Sequence, residues 1–140
     1  MLYKPLISII MNCLNGEKYL KQALDSIFEQ TDDNWEIVFW DNASTDKSVA
    51  IAESYGKRVR CFKNQATCSL GKARNLALQE TRGDFIAFLD CDDIWLPHKL
   101  EKQMVLFERD PEVALVFSDM IVFDGKRDIY QFLGKISTCS

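Results

Sequence analysis

Five apolar runs punctuate the chain: "LISIIM" at 6–11, "EIVFW" at 36–40, "RVRCF" at 58–62, "DFIAFL" at 84–89 and "VALVF" at 113–117. Four are near-continuous in hydrophobicity, as strands covered on both faces are, and "RVRCF" is weaker. Helical patterns separate them. In "NGEKYLKQALDSIFEQ", Leu20, Ala23, Leu24, Ile27 and Phe28 recur at the spacing of one helix face, with Asn15 and Gly16 in the entry turn. A second helix is expected in "STDKSVAIAESYG", capped by Ser44 or Thr45, with Asp46 at the positive end of its dipole and a left-handed stop at Gly56. A third, "LGKARNLALQETRG", is expected to stop at Gly83 in the same manner. The fourth has Pro97 in its first turn, carries Leu96, Leu100, Met104 and Phe107 on one stripe and ends before Pro111.

Strand and helix therefore alternate, which predicts an α/β fold: a mostly parallel sheet with flanking helices and right-handed crossovers. Ligands of such sheets bind beyond the carboxyl ends of the strands. Those ends read Asn12 after the first run, Asp41 and Asn42 after the second, Asp90 and Asp92 after the fourth, and Ser118 and Asp119 after the fifth.

At 140 residues, 47% hydrophobic and 27% charged, the chain fits one globular domain, 1–140, without a linker. A formal net charge of −4 argues against a general nucleic-acid binder, so an anionic ligand must be captured locally, by a metal or a few donors. The five cysteines are odd in number and include no C-x-x-C pair, which suggests reduced thiols in a cytoplasmic protein rather than a disulfide framework or zinc knuckle. The opening "MLYKPLISIIM" is too short to span a bilayer and lacks the flanks of a signal peptide; it reads as a first strand.

The stretch "FLDCDDIWLP" crowds Asp90, Asp92 and Asp93 behind a buried strand. One reading is a solvated turn with a helix cap. The other is a hard-cation site, since two carboxylates one residue apart can meet Mg²⁺ or Mn²⁺ and leave positions for water and phosphate. In "FWDNASTDKS", Asp41 either forms the strand-to-helix turn or accepts hydrogen bonds from a base or sugar. Lys72 and Arg74 are either the wet side of a helix or donors to a nucleobase carbonyl or phosphate. His98, the single histidine, reads as surface, and Cys91 as packing. Trp35 and Trp40 read as core; Trp95 is left open between core and sugar floor.

Taken together, "SIIMNCLNGEKYLKQALDSIFEQTDDNWEIVFWDNASTDKSVAIAESYG", "LGKARNLAL" and "RGDFIAFLDCDDIWLPHKLEKQM" closely resemble the nucleotide-binding half of the family 2 glycosyltransferases, with the Rossmann-like GT-A nucleotide-diphospho-sugar transferase fold. The likeness runs from about Pro5 to Asp119. It implies transfer of a sugar from a nucleoside diphosphate donor to a saccharide or lipid-linked acceptor, usually with inversion, assisted by Mg²⁺ or Mn²⁺. By motif, Asp90, Cys91 and Asp92 form the D-x-D element, with Asp92 the direct metal ligand and Asp90 turned toward the ribose or the metal's water shell. Asn12 and Leu14 stand where the first loop touches the nucleoside, Asp41 and Asn42 where the second holds the base, and Arg74 where a basic residue reaches base or phosphate. The resemblance also implies a cytoplasmic location, peripheral at the inner face of the membrane in the full-length protein.

The chain departs from the family pattern in three places. Relatives often carry Pro or Thr and an aromatic where it has Asn12 and Leu14, and D-D-G-S where it has Asp41, Asn42, Ala43 and Ser44, which leaves the base open among uridine, thymidine and guanosine. The acceptor-binding half and its general base are expected beyond Ser140, since Asp124 and Asp128 match nothing in the family, so the 140-residue chain reads as a truncated and by itself inactive portion. Truncation predicts an unpaired edge strand near "ALVFSDMIVF" and association into dimers or larger species. A non-catalytic nucleotide-sugar-binding or assembly fragment is the alternative. A receiver-like or haloacid-dehalogenase-like phosphotransfer domain would need its nucleophilic Asp where Asn12 stands, and no G-x-G-x-x-G follows the first strand to mark a dinucleotide site.

Overall fold

The computed structural model describes residues 4–123 and the backbone of 128–131 and 136–139. It divides into two compact units, Met1–Pro97 and His98–Ser140. The first unit runs β1 (Ile7–Cys13), α1 (Glu17–Phe28), β2 (Trp35–Asp41), α2 (Ser48–Glu53), β3 (Val59–Lys63), α3 (Leu70–Gln79) and β4 (Phe85–Phe88). The strands form one wholly parallel sheet in the order β3-β2-β1-β4, with Ile10 level with Val38 on one side and Phe88 on the other.

Alternation along the strands sorts the layers. Ile10, Val38 and Trp40 meet Ala73 and Ala77 of α3 on one face. Trp35 points to the other face, where its ring lies edge-on to Phe28 of α1 at 5.0 Å, and Phe28 in turn meets Tyr55 at 5.2 Å beyond α2. Helices thus cover both faces, and β1 and β2 are buried throughout apart from Glu36. The helix-flanked parallel sheet expected from the alternation is the fold of this unit. β4 is less enclosed than its hydrophobicity suggested, because Ile86 and Phe88 stay exposed on the edge strand.

The second unit comprises α4 (Lys99–Arg109), β5 (Leu115–Ser118), β6 (Ile121–Phe123), β7 (Asp128–Gln131) and β8 (Ile136–Cys139). Here the fifth apolar run departs from expectation. β5 does not join the parallel sheet; it pairs antiparallel with β8, and β6 pairs antiparallel with β7. Its carboxyl end at Ser118 and Asp119 is therefore not a further end of the parallel sheet, and the segment expected as an unpaired edge has a partner for each strand. Among the described residues no helix is long and apolar enough to cross a membrane.

Two helix termini also differ from the pattern reading. Ser44 and Thr45 do not cap α2, which starts at Ser48; the Asp46 carboxylate accepts the Ser48 amide at 2.9 Å instead, freeing Ser44 for the loop described below. Gly56 does adopt a left-handed φ of +82°, but Gly83 does not. α3 has already ended at Gln79, and Gly83 is small because a Cβ there would lie 2.6 Å from the Ser8 amide nitrogen and 2.7 Å from the Leu6 carbonyl oxygen.

Candidate functional site

The order β3-β2-β1-β4 reverses direction between β1 and β4, and the crossover helices change face there, so the crevice lies at the carboxyl ends of these two strands. Three loops meet beside it. Ser44 Oγ accepts the Asn15 amide at 2.9 Å, Asn15 Oδ1 accepts the Thr45 amide at 2.8 Å, and Ser48 Oγ accepts the Gly16 amide at 2.9 Å. Asn42 then ties in the third loop: its Nδ2 donates to the Cys68 carbonyl at 2.8 Å, and its Oδ1 accepts from Asn64 Nδ2 at 2.8 Å and the Cys68 amide at 3.0 Å. Asp41, fully buried, accepts the Ser44 amide through both carboxylate oxygens at 3.1 and 3.3 Å.

This scaffold bends tightly enough to force two non-glycine residues into left-handed backbone, Asn15 at φ +53° and Ala43 at φ +66°. Asparagine tolerates that region, whereas alanine loses roughly 1–2 kcal/mol there. Ala43→Gly should therefore raise stability by about 0.5–1 kcal/mol, after the greater chain entropy of glycine offsets part of the relief. Urea denaturation measures it, and a lower midpoint for the variant would contradict the account.

A pocket of about 220 Å³ opens where the loops meet, lined by Asn12, Cys13, Leu14, Asn42, Cys68, Leu70 and Ala73. Leu14, Leu70 and Ala73 give it apolar walls. Asn12 gives it an unsatisfied donor: the side chain is 8% exposed and its Nδ2 has no hydrogen-bond partner. A buried amide left unpaired costs about 1–3 kcal/mol, so a ligand acceptor at this point would recover what the fold gives up.

The acidic turn flanks this crevice. Asp90 extends from β4, its Oδ1 accepting from Arg74 Nη2 of α3 at 2.9 Å, and the Asp93 amide closes the turn on the Asp90 carbonyl at 3.1 Å. The far arm is sewn to the end of α1, with the Trp95 amide donating to Ser26 Oγ at 3.1 Å and Gln30 Nε2 to the Leu96 carbonyl at 2.8 Å. Asp90, Asp92 and Asp93 all face solvent. Desolvation, and then the charges of Asp92 and Asp90, hold the Asp93 carboxyl above the usual range. The crowding is thus relieved by exposure and by Arg74, and Asp92 keeps a carboxylate to which no described residue donates. Among the described residues no three His, Cys, Asp or Glu side chains are grouped to hold a metal by themselves.

Behind the turn, Cys91 meets Cys13. Hydrogen bonding from the Cys91 thiol, against burial, lowers Cys13 to about 7, and the same contact pushes Cys91 up. The remaining candidates lie elsewhere. Lys72 is exposed on the outer side of α3; His98 is exposed beside Glu101 at 3.2 Å; Trp95 joins Trp35 and Trp40 in burial. Asp124 lies outside the described residues, and of Asp128 only the backbone is described. Asn64 and Cys68 were not anticipated. Asn64 follows the weak strand "RVRCF", so the carboxyl-end rule applied to that run would have found it.

A model of the family described as "Glycosyl transferase family 2" matches residues 8–135. The chain belongs to glycosyl transferase family 2. This family 2 chain is 43% identical over 103 residues to an uncharacterized glycosyltransferase of Haemophilus influenzae, covering 71% of the chain and 41% of that protein. It is 31% identical over 129 residues to the Escherichia coli UDP-Glc:alpha-D-GlcNAc-diphosphoundecaprenol beta-1,3-glucosyltransferase WfgD, covering 91% and 51%. It spans about half the length of the curated relatives it matches. The S. aureus TarS 1-349 structure in complex with UDP-GlcNAc superposes with a TM-score of 0.71 at 29% identity, covering 74% of the family 2 chain and 31% of TarS 1-349. The fold is shared as well with the Pyrobaculum calidifontis mannosyltransferase PcManGT in complex with GDP-Man and Mn²⁺, at a TM-score of 0.74 and 23% identity over 86% of the chain and 36% of that structure.

Proposed function

We propose that residues 1–140 are the donor-binding portion of an enzyme that transfers a sugar from a nucleoside diphosphate sugar to a saccharide or lipid-linked acceptor, with inversion and with the help of Mg²⁺ or Mn²⁺. The observation that carries this reading is the unpartnered Asn12 amide, buried in a pocket at the carboxyl end of β1. A nucleobase carbonyl supplies the acceptor it lacks, and Leu14, Leu70 and Ala73 supply walls against which a planar ring packs. Asp41 and Asn42 serve the base by fixing the turn that shapes the pocket. Arg74, oriented by Asp90, is placed to meet a base carbonyl or a phosphate oxygen.

The donor set at the acidic turn fits a hard divalent cation. Of its three exposed carboxylates, Asp90 and Asp92 stand one residue apart with few other ligands near them, which suits an ion that keeps several waters and is completed by substrate phosphates. Asp92 would hold it directly and Asp90 through its water shell. Such a cation supplies countercharge to a departing diphosphate. The protein's own part is to hold donor and carboxylates in register and to keep the turn fixed to α1. The general base that takes the acceptor proton is ascribed to a part of the protein beyond Ser140, consistent with relatives about twice as long. The setting we infer is the cytoplasm, at the inner face of the membrane for the full-length protein, in keeping with the free thiols of Cys13, Cys61, Cys68 and Cys91.

A thermal-shift panel of UDP, TDP and GDP, each with and without Mn²⁺, tests the reading without requiring turnover. One nucleotide should stabilise the chain in a Mn²⁺-dependent way, by about 2.7 kcal/mol at a hundred times its dissociation constant. No shift with any of them would refute donor binding. The exposed Leu115, Phe117 and Met120 favour a second reading, a nucleotide-sugar-binding fragment that self-associates. Light scattering on the purified chain tests it: dimers or larger species support assembly, and a strict monomer rejects it.

A further inference from the structure

We propose that Cys13 and Cys91 form a redox modification site: a dithiol pair that closes reversibly to a disulfide and locks the acidic turn to the carboxyl end of β1. The two residues come together through the sheet. The β1–β4 register pairs Ile10 with Phe88, and the Leu89 amide continues the ladder to the Ile10 carbonyl at 3.1 Å. β4 ends at Phe88, and Cys91 lies three residues further on, in the turn that the Asp93 amide closes on the Asp90 carbonyl, where its thiol hydrogen-bonds Cys13 at the end of β1.

Gly16 supplies an independent measure of this proximity. A methyl group added there would sit 2.7 Å from Cys13 Sγ and 2.8 Å from Cys91 Sγ at once, so both sulfurs crowd the one point that glycine leaves open. The contact also joins two parts of the crevice. Cys13 lines the pocket, and Cys91 stands between Asp90 and Asp92.

The two sulfurs differ in access, which orders the chemistry. Cys13 is 2% exposed, whereas Cys91 is partly exposed and can be reached from solvent. With oxidised glutathione as the oxidant, Cys91 Sγ attacks one glutathione sulfur as it gives up its thiol proton, forming a mixed disulfide and releasing one glutathione thiolate. The Cys13 thiolate then attacks Cys91 Sγ, forming the protein disulfide and releasing the second. Two electrons pass from the cysteine pair to glutathione, and the two thiol protons balance the two glutathione thiolates. Closing the sulfurs to a bond of about 2.05 Å pulls the centre of the acidic turn toward β1. Moving the turn that carries Asp90 and Asp92 changes where these carboxylates meet a cation, so the closed form should bind Mn²⁺ and nucleotide less well. This last step rests on the proposed donor site; the disulfide itself does not.

The test equilibrates the full chain in glutathione buffers from reducing to oxidising, followed by acid quench, alkylation and tryptic digestion without reduction. Tryptic fragments 1–18 and 83–99 each contain a single cysteine, so the pair is read directly as one linked species that dithiothreitol splits. We expect that species to accumulate as the poise becomes oxidising, Cys13→Ser to stop at a glutathione adduct on Cys91, and Cys91→Ser to leave Cys13 a thiol. Cys91 remaining a thiol or an adduct at every poise, or pairing with Cys61 or Cys68, would overturn the pair; this reading needs only the parent chain, so a variant that fails to fold does not blunt it. Titrations of UDP, TDP and GDP with Mn²⁺ on the oxidised and reduced forms then measure the consequence, an expected loss of tenfold or more in affinity for the nucleotide that binds, which dithiothreitol restores. Equal affinity would overturn the lock, whereas absence of binding in the reduced form would count against the donor site and leave the linked fragments to decide the pair.

Discussion

Gly83→Ala should destabilise the fold by about 3 kcal/mol or more, at the upper end of what overpacking a buried site costs. The methyl group would meet the Ser8 amide nitrogen at 2.6 Å, the Leu6 carbonyl oxygen at 2.7 Å and Ser8 Oγ at 2.8 Å, and two of these three atoms are backbone that no rotamer change can move. The turn is also bonded where the methyl would intrude. The Gly83 amide donates to Ser8 Oγ at 2.8 Å, the Asp84 amide to the Leu6 carbonyl at 2.8 Å, and the Leu6 amide to Asp84 Oδ2 at 2.8 Å. Relief therefore requires β1 and β4 to part at their amino ends, giving up hydrogen bonds worth about 1 kcal/mol each in addition to the steric cost. Gly71→Ala is the matched control, because nothing lies within 4 Å of its added methyl and it sits in α3, where alanine gains roughly 0.5–1 kcal/mol over glycine. Urea denaturation at unchanged m-value measures both. A Gly83→Ala midpoint matching the parent would show that β1 does not depend on this close approach.

Gly83 also marks where the sequence stopped being legible. The apolar runs announced β1 and β2 because a strand covered on both faces must be hydrophobic along its length, and Leu20, Ala23, Leu24 and Ile27 announced the buried side of α1 by their helical spacing, whereas the runs of β3 and β4 marked strands that are only partly enclosed. A glycine after a helical pattern signals a left-handed stop by frequency, whereas the requirement at Gly83 comes from a strand more than seventy residues away. Ser44 failed for a related reason: a serine before a helix can cap it, but the Asn15 amide from another loop claimed its hydroxyl. The fifth run was read as a strand and is one, yet nothing in "VALVF" specifies a neighbour, and pairing with β8 took it out of the parallel sheet. For the site, the carboxyl-end rule picked out Asn12, Asp41, Asn42 and Asp90 because a strand delivers its next residues to a fixed edge. It could not distinguish a residue that faces the crevice from one that holds the loop, since Asp41 and Asn42 differ from Asn12 only in which partners the tertiary fold brings to them.

Asp92→Asn should weaken Mn²⁺-dependent nucleotide binding by roughly tenfold to a hundredfold while leaving the fold intact, the expected loss for one charge-assisted contact of about 1.5–3 kcal/mol. Asparagine keeps the shape of the side chain and removes the charge that a hard cation selects. Asp90 should not substitute for it, since its Oδ1 is already engaged by Arg74 at 2.9 Å, and the exposed Asp93 has its carboxyl held above the usual range by desolvation and then by the charges of Asp92 and Asp90. Asp93→Asn should accordingly change affinity by less than about threefold, as a residue of the turn rather than of the cation site. The two readouts of Asp92→Asn part company, affinity falling while stability does not, which separates a ligand from a structural residue. The Asp92 charge is among the causes that raise the Asp93 carboxyl, so removing it relieves like-charge repulsion in the unliganded turn and should leave the thermal midpoint unchanged or slightly higher. Calorimetric titration of Mn²⁺ and the preferred nucleotide, beside a melt of the unliganded protein, measures both. Equal affinity in Asp92→Asn and the parent would remove Asp92 from the site, and a larger loss in Asp93→Asn would move the cation to the other carboxylate.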